Sequence, residues 1–94
     1  MVERTQAVDG TYLQGHITAT YAELVRAFGE PDEGCDSKTR AEWGLRFDGG
    51  TIATIYDWKS DLDDVKSVSH WNIGGHFERA VQHVENALYL GVRA

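Results

Sequence analysis

Cysteine is nearly absent from this chain. Cys35 stands alone, so no internal disulfide can form, which fits a reducing, cytoplasmic setting. No local motif activates that thiol, and it reads as a bystander. Long hydrophobic runs are missing as well. Nothing approaches the roughly 20 apolar residues of a membrane span, and the opening MVERTQAVDG lacks the apolar core of a signal peptide. Basic residues are scarce, nine against fifteen acidic ones, for a formal net charge of −6. A chain so charged is a poor general binder of nucleic acid, whose affinity rests on Lys and Arg neutralising phosphates. An acidic surface suits a protein partner with a basic groove, and it also serves solubility.

The usual chemical signatures are missing too. There is no CxxC, HExxH, GxSxG, Walker or GxGxxG pattern. His76 and His83 stand two helical turns apart, too far to chelate one metal unaided. No metal, no cofactor and no catalytic constellation is expected, and the chain reads as a non-enzyme.

What is present is a clear pattern of elements. Residues 1–10 read as a loose lead-in and 11–94 as a single α+β domain. Thr11 to Ile17 is a first strand with Gly15 as a bend or bulge. Thr20 to Phe28 is a helix, with Thr20 and Glu23 at capping-box spacing and an apolar stripe of Tyr21, Leu24, Val25 and Phe28. Gly29 and Pro31 stop it. Glu30 to Arg40 is a polar loop. Trp43, Leu45 and Phe47 alternate with polar or small residues, Asp48-Gly49-Gly50 turns the chain, and Thr51 to Trp58 returns as a strand. Val68 to Ile73 alternates again, and Gly74 and Gly75 end it. His76 to Leu90 is the longest helix, with Phe77, Val81, Val84 and Leu88 as its stripe and Gly91 as its stop. The sum is β-α-β-β-β-α, a small antiparallel sheet with two helices on one face.

If Trp43, Leu45, Phe47, Ala53, Ile55, Trp71 and Ile73 face the helices, the opposite face carries Arg46, Thr54, Tyr56, Trp58, His70 and Asn72. That face is too apolar to be simply solvated. It is a candidate surface for a stacked base or ring, for a protein partner, for a second copy in a homodimer, or for the N-terminal segment. Gly74 and Gly75, leading toward a helix, form a second candidate site, one for an anion. Asp61, Asp63 and Asp64, with Asp57, form an acidic loop whose spacing is not that of an EF-hand; it reads as a solvated or partner-binding loop rather than a cation site.

Gly29-Glu30-Pro31, Tyr56-Asp57-Trp58-Lys59 and Trp71-Asn72-Ile73-Gly74-Gly75 resemble a family of small accessory proteins of bacteriophages and their hosts. The resemblance covers roughly residues 15 to 90. It implies a small protein working in the host cytoplasm during infection. By analogy of class, it implies an inhibitor that binds a host defence protein, as anti-CRISPR proteins do, or one that sequesters a nucleotide second messenger. A structural homodimeric accessory protein is the third reading.

Overall fold

The computed structural model describes residues 2–32, 41–57 and 68–93. The elements run β1 (Glu3–Arg4), β2 (Tyr12–Thr18), α1 (Tyr21–Phe28), β3 (Glu42–Arg46), β4 (Ile52–Tyr56), β5 (His70–Gly75) and α2 (Arg79–Arg93). The five strands form one antiparallel sheet in the order β1-β3-β4-β5-β2. This is an α+β fold, and the expected alternation holds. Trp43, Leu45, Phe47, Ala53, Ile55, Trp71 and Ile73 are all buried together with Leu24, Phe28, Ala80 and Val84 from the helices.

The β3–β4 hairpin is closed by Gly49 and Gly50, both at φ +87, a region that side chains rarely enter. At its open end Asp57 is 2 % exposed. Its Oδ1 accepts the Ala41 N–H at 2.9 Å, so this buried carboxylate is a structural clasp. Trp43 and Trp71 meet edge to face at 5.3 Å, and Tyr21 lies over both at 5.9 and 6.5 Å. Each indole N–H donates to one end of α1, Trp43 to the Gly29 carbonyl and Trp71 to the Ala19 carbonyl, at 2.8 and 2.9 Å. The helix is therefore pinned to the sheet at both ends. Thr20 and Glu23 make the expected capping box, and the sheet register slips between Leu13 and Gly15, a bulge where Gly15 suggested one.

Three expectations change. The lead-in is not loose throughout: Glu3 and Arg4 pair with Arg46 and Leu45. Arg4 also donates to the Phe28 and Glu30 carbonyls and pairs with Asp32, tying the start of the chain to the end of α1. The second helix begins at Arg79, not His76. Residues 76–78 bend before it, Gly75 lies so close to Ala80 that a β-carbon there would strike the Ala80 side chain, and Phe77 is 59 % exposed and outside the core stripe. Gly91 does not stop the helix, which continues to Arg93.

Candidate functional site

The sheet face away from the helices is crossed by its own chain. β1 and β2 lie on opposite edges of the sheet, so residues 5–11 must pass over β3, β4 and β5. Four inter-strand spacings make roughly 19 Å, within reach of such a segment. Directly beneath it the register aligns Gly44, Thr54 and Gly74 in one row, with Leu13 at its end. A β-carbon on Gly44 would strike the Thr5 carbonyl oxygen and crowd the Val8 side chain. Thr54 is 3 % exposed. The row of small residues is thus a trough for the crossing segment. His76 holds the segment's far side, its Nε2 3.0 Å from the Asp9 carbonyl oxygen.

This crossing reorganises the face expected to bind a ligand. Thr54 and Gly74 are buried and offer no surface. Gly75 points to the helices against Ala80. Both glycines lie inside β5, before the bend that precedes α2, so they do not form an anion-binding turn at a helix N-terminus. Arg46 lies on one side of the crossing, with Glu3 and Ile52 in register. Tyr56 and Asn72 lie on the other, in a row from Glu42 to His16. His70 and Thr18 form the next row, with Thr18 Oγ1 and His70 Nδ1 3.4 Å apart. A ligand held by both Arg46 and Tyr56 has to span roughly 13 Å of strand across the crossing segment. Burial, with the Glu42 carboxylate second, raises the Tyr56 phenol above its ordinary 10.0. Trp58, Asp61, Asp63 and Asp64 lie outside the described residues, as does Cys35. Among the described residues no cluster of three or more His, Cys, Asp or Glu side chains is placed to hold a metal.

A second surface lies at the β2 edge, which the sequence did not single out. β2 is the longest strand, seven residues, and its outer side pairs with no strand among the described residues. Tyr12 and Leu13 on it are 73 % and 54 % exposed. Between β2, α1 and α2 runs an open groove of about 510 Å³. Ile17, Leu88 and Tyr89 give it apolar surface, Glu23 and Glu85 give it charge, and His16 and Thr18 border it from the strand. Glu23 is pre-positioned by the capping box, its Oε1 accepting the Thr20 N–H at 2.8 Å. Neither a protein-family model, nor a curated protein, nor a solved structure matches this chain.

Proposed function

We propose that this chain is a non-enzymatic binding protein of the phage accessory type, which works by docking on and blocking a host defence protein, in the manner of an anti-CRISPR protein. The observation that carries the reading is the β2 edge: a long outer strand flanked by exposed Tyr12, Leu13 and Tyr89 and by an acidic groove. Such edges take up partners through main-chain hydrogen bonds and side-chain pockets. The net charge of −6 supports a basic partner surface, which nucleic-acid-handling defence complexes possess by necessity.

The test is a plating assay. A strain whose CRISPR nuclease complex targets a phage is given the chain on a plasmid. Restored plaque formation is expected, and loss of it with Leu13→Asp, which alters an exposed side chain on the edge strand. Unchanged immunity across a panel of nuclease-based defence systems removes the reading. The nucleotide-sequestering alternative keeps Tyr56, half-buried beside Asn72 and His16 on the open part of the second face. Cyclic and linear nucleotides that leave the Tyr56 and Asn72 NMR signals unmoved remove that alternative.

A further inference from the structure

We infer that the occupant of the β2 edge is an extended, basic segment of the protein partner, which adds beside β2 as a further strand and lays alternate Lys or Arg side chains over the Glu23–Glu85 groove. This deepens the protein-binding reading above and rests on it. Three observations point the same way. First, natural edge strands are guarded by charged residues, proline, bulges or brevity. β2 reads Tyr-Leu-Gln-Gly-His-Ile-Thr over Tyr12–Thr18. It has no Lys, Arg, Asp, Glu or Pro, and only the irregularity between Leu13 and Gly15 interrupts it. Second, side chains of an added strand alternate between the two faces, so every other one falls on the helix side, where the groove lies. There Glu23 and Glu85 stand beside the apolar surfaces of Ile17, Leu88 and Tyr89, and among the described residues no Lys or Arg lines the space. Carboxylates over apolar stems suit the long aliphatic arms and charged heads of Lys and Arg. Third, the charge argues against a second copy. A β2–β2 pairing brings two chains of net charge −6 together and sets like-charged grooves side by side, which a basic segment does not.

The experiment uses the full isotope-labelled chain and three short synthetic probes. One alternates lysine and valine, one alternates glutamate and valine, and one is the lysine peptide N-methylated at alternate amides. The lysine–valine peptide is expected to shift the amide signals of Leu13 to Thr18 and of Glu85 to Tyr89 saturably, and to slow exchange along β2. The glutamate peptide should bind about tenfold more weakly or worse. The N-methylated peptide, equal in charge, should also lose binding, because it cannot complete the ladder. Glu85→Lys, an exposed change that spares the fold, should weaken the lysine peptide about fivefold. The inference is overturned by equal binding of the acidic peptide, by indifference to N-methylation, by shifts confined elsewhere, or by no binding. It is equally overturned by a dimer in sedimentation whose β2 amides are protected, since the occupant is then a second copy. The two levels fail separately. Plaque rescue without peptide binding leaves the inhibitor reading standing and removes this one, while peptide binding without rescue does the reverse.

Discussion

Glycine weakens a strand interior, yet Gly44 sits in the middle of β3, between two fully buried core residues, Trp43 and Leu45. The crossing segment explains it: the Thr5 carbonyl occupies the place of a side chain. Gly44→Ala should therefore cost about 1–3 kcal/mol in urea unfolding, and it should speed amide exchange and proteolysis within residues 5–11 while leaving the far face intact. Unchanged protection of those residues would contradict the account. In the row beside the trough, Tyr56 offers a titration. Its phenol is raised above 10.0, first by burial and then by Glu42. Because the folded-state value is the higher one, the contribution to stability is complete below pH 10.0 and is lost as the pH climbs through the folded value. An ultraviolet titration of Tyr56 should give a midpoint above 10.0. Glu42→Gln should bring it part of the way down, since burial remains. A midpoint at or below 10.0 counts against this environment.

At the scale of elements, α1 is eight residues, too short to persist alone in water. Its position depends on the two indole hydrogen bonds and the capping box. Thr20→Ala should destabilise the protein by about 1 kcal/mol, and it should also release Glu23 from its fixed place at the groove. Calorimetry of the variant measures the first effect. Weaker lysine-peptide binding measures the second. These elements were legible in the sequence for local reasons: Thr20 and Glu23 stand at capping-box spacing, and Trp43, Leu45 and Phe47 alternate with period two. The faces of three strands followed directly. What local pattern could not show was order along the sheet. Glu3 and Arg4 carry no strand signature, and only their long-range pairing with β3 makes them one. Gly44, a glycine amid strong strand formers, carries a local hint of a close backbone approach. Phe77 fits the helical stripe and so points to a start at His76, whereas the chain bends over residues 76–78, beside the close approach of Gly75 to Ala80, before α2 begins.

At the scale of the whole molecule, the N-terminal crossing divides the second sheet face and takes Thr54, Gly74 and Gly44 out of reach. The face that composition alone made conspicuous is thus partly the protein's own interior. The β2 edge, unremarkable as sequence, becomes the outer flank because β2 ends the sheet among the described residues. Here strand order, which no periodicity encodes, decides where a partner can dock. None of the described helices is long and apolar enough to cross a membrane.

Whether the β2 edge is open to a partner strand is read from amide hydrogen exchange along β2 in the full chain, alone at several protein concentrations and again with the lysine–valine peptide. Rapid exchange of the outward-facing amides from Tyr12 to Thr18 is expected in the isolated protein, independent of concentration, with marked slowing when the peptide is added. Outward amides already protected in the isolated chain would contradict it, since the edge would then be closed by the protein's own chain or by a second copy.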